Sequence, residues 1–124
     1  MAKRSPQWGL KVRVWVERDG RKVLGPGRVE LLGHIDRLRS ITAAAKAMSM
    51  SYRRAWELVQ DMNEAAGMPL VEANTGGTGG GGAAVTDHGR EAIRLYHQLV
   101  AEFDHTAAKV RLSDDPLSAP SDGG

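Results

Sequence analysis

Residues 40–60 read SITAAAKAMSMSYRRAWELVQ, two helical runs parted by a break of only a few residues. Few folds accept that arrangement. In the first run Ile41, Ala44, Ala45 and Met48 recur at the three-and-four spacing of one apolar stripe, and the alanines allow another helix to approach closely. Ser49, Met50 and Ser51 interrupt the pattern with residues suited to capping. A second run follows through Ala55, Trp56, Val59 and Met62. The spacing predicts two short helices joined by a tight turn, with Ser51 capping the second, so that Tyr52, Arg53 and Arg54 fill its opening turn. In a helix-turn-helix that turn reaches base edges in the major groove of DNA. Taken alone, the same pattern also describes an ordinary helical hairpin with solvated arginines.

What comes next separates the two. After Gly67 and Pro69 there is a short apolar run, Leu70 and Val71, then the loop NTGGTGGGGA, then Ala84 and Val85 before a new helix at Thr86. Two short strands joined by an extended loop, directly behind the second helix of the pair, make the wing of a winged helix. Glycine has a physical use there, because a backbone without Cβ approaches phosphates closely and adopts positive φ. The six glycines between Gly76 and Gly82 also suggest a phosphate cradle in a nucleotide-using enzyme. That reading lacks the lysine and hydroxyl of GxxxxGK followed by Ser or Thr, the GxGxxG spacing and a nearby carboxylate for Mg²⁺. The wing is preferred.

Ahead of the helical pair, residues 10–18 alternate, with Leu10, Val12, Val14 and Val16 on one face, which predicts a half-buried strand. Asp19 and Gly20 form a two-residue turn of type I′ chemistry, setting Arg18 opposite Arg21 and Val16 opposite Val23. Gly25-Pro26-Gly27 stops the second strand, and Leu31, Leu32, Ile35 and Leu38 define the buried face of a first helix. From Thr86 onward Ile93, Tyr96, Val100, Phe103, Ala107 and Val110 give one long amphipathic helix over residues 86–111, capped by Thr86. A small domain cannot cover the outer half of such a helix. A second copy of the same helix can, so Ile93, Tyr96, Val100, Phe103 and Ala107 are expected to form a homodimer interface.

The expected fold class is therefore α+β, mainly helical: a winged helix-turn-helix with an N-terminal β-hairpin and a long C-terminal dimerisation helix. Residues 1–9 are expected to be a flexible N-terminus, 10–112 the domain, and 113–124, SDDPLSAPSDGG, a disordered tail. At 124 residues and 41% hydrophobic content the chain suits one core and leaves no room for a separate catalytic domain. The formal net charge is only +2, yet up to Arg39 ten basic residues face four acids, which points to an anionic partner. Double-stranded DNA fits better than a membrane surface.

Cysteine is absent, which removes disulfides and thiolate metal sites and agrees with a reducing cytoplasm. No signal peptide and no run of 18 apolar residues is found, so no membrane association is expected. His34, His88, His97 and His105 lack the HExxH or paired-carboxylate arrangement of a metal site. No Ser-His-Asp motif context is present either. No metal, no cofactor and no enzymatic activity are expected. Trp15 and Trp56 could stack on bases, but the spacing of Trp56 with Val59 and Met62 predicts core packing.

The run SYRRAWELVQDMNEAAGMPLVEANTGGTGGGGAAVTDHGREAIRLY closely resembles the N-terminal DNA-binding domain of the molybdate-responsive transcriptional regulators of the ModE type. The serine-tyrosine-basic opening with alanine-tryptophan behind it, the Asp61-Met62-Asn63 triplet, the glycine loop, and Thr86 with Gly89 carry the match, which extends over roughly residues 10–110. The resemblance implies a winged helix that dimerises through its terminal elements and binds a palindromic operator. It implies that Ser51, Tyr52, Arg53 and Arg54 open the recognition helix and that residues 75–82 form the wing, with Thr75, Gly76, Gly77, Thr78, Gly79 and Gly80 contacting DNA. Full-length regulators of this type continue into molybdate-binding modules after the long helix, whereas this chain ends in a short tail. The resemblance is thus to the stand-alone form, with no molybdate binding expected of this chain alone. The expected function is transcriptional regulation, most simply repression; the alternative is an adaptor that keeps the winged fold without using it on DNA.

Overall fold

A computed structural model describes residues 6–74 and 82–118. The elements run β1 (Val16–Arg18), β2 (Arg21–Leu24), α1 (Pro26–Leu38), α2 (Ile41–Ala47), α3 (Tyr52–Ala66), β3 (Val71–Asn74), β4 (Gly82–Val85) and α4 (Asp87–Ala108). Among the described residues β1 pairs only with β2, and β3 only with β4, giving two small antiparallel hairpins around four helices. This is the mainly helical α+β winged architecture expected from the sequence.

The first hairpin closes where Asp19 and Gly20 both take positive φ, 51° and 77°, the backbone a type I′ turn requires. Arg18 stands opposite Arg21 as expected. One step further a bulge between Val16 and Glu17 shifts the register, so Val16 faces Leu24 rather than Val23. The strand also begins at Val16 instead of Leu10. β2 ends where Gly25 and Pro26 open α1, and among the described residues no strand pairs with residues 10–15. Leu10 and Val12 are consequently exposed. The segment is held instead by side chains: Val14 packs against the core, Trp15 lies against Gly25, and the Tyr96 hydroxyl donates to the Val14 carbonyl at 2.9 Å.

Leu31, Leu32 and Ile35 of α1 and Met62 of α3 are the largest fully buried side chains and mark the centre of the core. Each contributes about 1.5–3 kcal/mol through burial. Leu38, expected beside them, is exposed because it is the last residue of its helix, and Val29 takes the buried position. The two helices of the pair start as the sequence implies: Ser40 Oγ accepts from the Ala43 N–H at 3.0 Å, and Ser51 Oγ from the Arg54 N–H at 3.1 Å. Ala44, Ala45 and Ala55 are buried at the crossing, where any larger side chain would hold α2 and α3 apart. α3 stops at Gly67 (φ +73°), whose N–H donates to the carbonyls of Asn63 and Glu64.

The triplet Asp61-Met62-Asn63 uses the 100° step between neighbouring helical residues to grip three parts of the molecule. Met62 enters the core. Asp61 accepts from Arg21 of β2 and Arg28 of α1, both at 2.6 Å. Asn63 Oδ1 accepts from the N–H groups of Leu70 (2.8 Å) and Val71 (3.2 Å), while its Nδ2 donates to the Val71 carbonyl at 3.0 Å. Hairpin, core and wing are thereby referenced to one helix. The hydrogen bond from Arg21, then that from Arg28, holds the Asp61 carboxyl below its ordinary 3.8. A depressed carboxyl stabilises the fold above its unfolded value and loses that contribution as pH falls through its folded one. Urea midpoints of the parent are therefore expected to fall more steeply than those of Asp61→Asn as pH is lowered through and below 3.8. Parallel curves would show that the two arginines do not stabilise the folded state through this carboxylate.

The wing meets α4 at a crowded junction. Thr86 Oγ1 donates to the Pro69 carbonyl at 2.7 Å and accepts from the Gly89 N–H at 3.0 Å. A Cβ on Gly89 would lie 2.2 Å from the Leu70 carbonyl oxygen and 2.6 Å from Val85 Cγ1. Backbone would have to move. Gly89→Ala is expected to cost about 1–3 kcal/mol, despite the better helix propensity of alanine. A denaturation midpoint at or above that of the parent would contradict this packing.

Candidate nucleic-acid interface

Ala55, Val59 and Met62 define the buried side of α3, and Arg53 lies about half a turn round from them, at the centre of the free face. Its side chain is 89% exposed. The Nε donates to Glu57 Oε1 at 3.2 Å, a surface pair one helical turn apart that solvent screens and a competing anion displaces. Arg54 lies a step to one side. It lines a cleft with Trp15 just ahead of β1, Lys22 of β2, Gly27 and Arg28 of α1, and Met50 and Leu58. On the other side Tyr52 and Trp56 line a cleft with Ile41 and Thr42 of α2 and Ala73, Asn74, Gly82 and Ala83 of the wing.

The exposure of Trp56, 44%, corrects the expectation that it packs in the core. Ala55 already fills the buried position of that turn, and the 100° step carries the next residue outward. The opening turns of α3 thus present a cation at the tip, aromatic rings toward the wing and a second cation toward the hairpin. Sequence spacing had brought Ser51, Tyr52, Arg53 and Arg54 to one helix start, and the structure places them there. It had no signal for the opposing walls, which are supplied by residues distant in sequence.

The wing strands pair in the register Val71↔Val85, Glu72↔Ala84, Ala73↔Ala83 and Asn74↔Gly82. The Ala83 N–H also donates to the Arg39 carbonyl at 3.1 Å, fixing β4 to the end of α1. The loop roots, Asn74 and Gly82, stand beside Tyr52 and Trp56. Thr75, Gly76, Gly77, Thr78, Gly79 and Gly80 lie outside the described residues.

Along α4 the apolar stripe divides into two. Gly89 and Tyr96 are buried, and Ala92, Ile93 and Val100 pack against the core. Burial also raises the Tyr96 hydroxyl above its ordinary 10.0. Tyr96, expected on a dimer face, is therefore enclosed by its own chain, because the first half of α4 rests on α1. Beyond Val100 the cover ends. Phe103 is 50% exposed, and Ala107 is half-buried beside Trp8 and Leu10 of the leading segment.

The profile of the bacterial regulatory helix-turn-helix proteins of the LysR family matches residues 27–90, from the start of α1 into α4. The chain belongs to this LysR-type helix-turn-helix family. The ModE resemblance is borne out as well: the chain is 42% identical over 92 residues to the DNA-binding transcriptional dual regulator ModE of Escherichia coli, covering 74% of this chain and 35% of that protein. It is 38% identical over 102 residues to the molybdenum transport protein ModE of Azotobacter vinelandii, covering 82% and 37%. The LysR-type chain thus spans about a third of the length of these relatives. Among solved structures, the BenM_DBD/benA site 1 DNA complex superposes with a TM-score of 0.50 at 17% identity, over 66% of this chain and 86% of that one. That likeness shows the shared winged fold.

Proposed function

We propose that this chain is a DNA-binding transcriptional regulator of the ModE type that reads an inverted-repeat operator as a homodimer in the cytoplasm. The observation that carries this reading is Arg53, fully presented at the opening turn of α3 between the wing roots and the hairpin. A guanidinium so placed suits bidentate recognition of guanine O6 and N7 in the major groove. Ser51 and Tyr52 enter beside it, and the glycine loop at residues 75–80 contacts the backbone. The relative from Escherichia coli is a DNA-binding transcriptional regulator, and the BenM domain was solved on DNA, which supports the same use of this surface.

Dimerisation centred on the exposed Phe103 of α4, flanked by the partly covered Val100 and Ala107, would place two α3 helices on one face of a duplex. Repression follows most simply, since a bound dimer occludes polymerase. Selection of duplexes from a random pool by the purified protein tests the reading. The expected product is an inverted repeat with half-site centres about 34 Å apart, one helical turn, or a multiple of it. A pool that returns no common sequence would overturn it.

A further inference from the structure

We propose that the cleft between the β1–β2 hairpin and the first turn of α3 is a second backbone-binding site, in which Lys22, Trp15 and Arg54 hold a phosphodiester on the side of the major groove away from the wing. This inference rests on the DNA-binding reading and adds to it an element that precedes the helix-turn-helix.

The cleft is lined by three cations, Lys22, Arg28 and Arg54, and by no acid. Arg28 is committed elsewhere, donating to the Lys22 carbonyl at 3.0 Å and to Asp61 at 2.6 Å. It positions the strand that carries Lys22, and Asp61 neutralises it. Among the described residues neither Lys22 nor Arg54 has a carboxylate partner. Lys22 Nζ lies 4.4 Å from the centre of the Trp15 ring. A cation over an aromatic face is held in place without losing its charge, so it stays available to an anion.

Trp15 is itself fixed. It lies against Gly25, where an added Cβ would fall 2.0 Å from Trp15 Cζ3. Trp15 is nonetheless 46% exposed, a large apolar residue that the core does not enclose. Met50 and Leu58 line the same cleft, apolar side chains along which lysine and arginine stems can lie while their charged ends stay in water.

Location supplies the occupant. Phosphates run along both edges of the major groove, which is about 12 Å wide. Once Arg53 points into that groove, one edge passes the wing roots beside Tyr52 and Trp56. The other passes Arg54 and, next to it, Lys22. A rim of two unneutralised cations matches a phosphodiester in charge, and a contact there carries no sequence information.

Lys22→Ala is the direct test, measured as binding to the selected operator and to a random duplex over a range of salt. Expected is a loss of about three- to tenfold at 0.15 M salt for both duplexes, with the slope of log K against log salt reduced by about one. The ratio of operator to random affinity should not change, and Lys22→Arg should restore the parental slope. Thermal melting of each variant guards against a folding defect. If the parent binds DNA and Lys22→Ala keeps the parental slope and affinity, the second site is wrong while the DNA-binding reading stands. If the parent binds no duplex, the underlying reading fails as well.

Discussion

Changing Val100 and Phe103 together to aspartate is expected to give a monomer that has lost a hundredfold or more of its affinity for an inverted repeat. The apolar stripe of α4 continues in register past the point where the domain covers it, and Phe103 lies half-exposed on that continuation. Two copies would bury it. Linking two half-site readers through such an interface makes the second engagement intramolecular, a gain of roughly 10²–10⁴ that a monomer forgoes. Because Val100 also packs against the core, Phe103→Asp alone serves as the milder variant and should retain the parental melting temperature. Light scattering on both variants decides the matter. A double variant that remains dimeric would move the interface elsewhere, to the exposed Leu10 and Val12 of the leading segment.

Arg53→Ala is expected to weaken operator binding by about 1–3 kcal/mol per contacted base and to flatten discrimination at one base pair of each half-site. The fold should be untouched, since the side chain is 89% exposed and, among the described residues, its hydrogen bond and ion pair are with Glu57. Removing Arg53 leaves that glutamate facing the duplex, so part of the loss is new repulsion. Glu57→Gln in the Arg53→Ala background separates the two effects by recovering only the repulsive part. Arg54→Ala should behave differently, weakening all sequences together and lowering the salt slope, because its side chain lines the cleft beside the hairpin. Equal loss of discrimination in both variants would contradict the assignment of tip and flank.

Much of this architecture was legible in the sequence because its signals are local. Ser40, Ser51 and Thr86 cap the helices they precede, Asp19-Gly20 turns the hairpin, and Gly67 ends α3. Each acts within four residues. What was not legible depends on partners distant in the chain. Trp56 continues an apolar spacing yet faces outward because Ala55 has taken its turn's contact. Tyr96 continues another and faces inward because α1 and Val14 receive it. Nothing in residues 10–18 announces that only three of them will find a strand to pair with. The grip of Asp61 on Arg21 and Arg28 spans 40 and 33 residues, beyond any periodicity.

This helix-turn-helix is expected to read sequence. Equilibrium titration of the purified protein against the selected duplex, against the same duplex with one half-site scrambled, and against random DNA at 0.15 M salt measures that directly. The expected result is a preference of about 10³ or more for the intact site over random DNA, most of it lost when one half-site is scrambled. Equal affinity for all three duplexes, or binding to none, would contradict it.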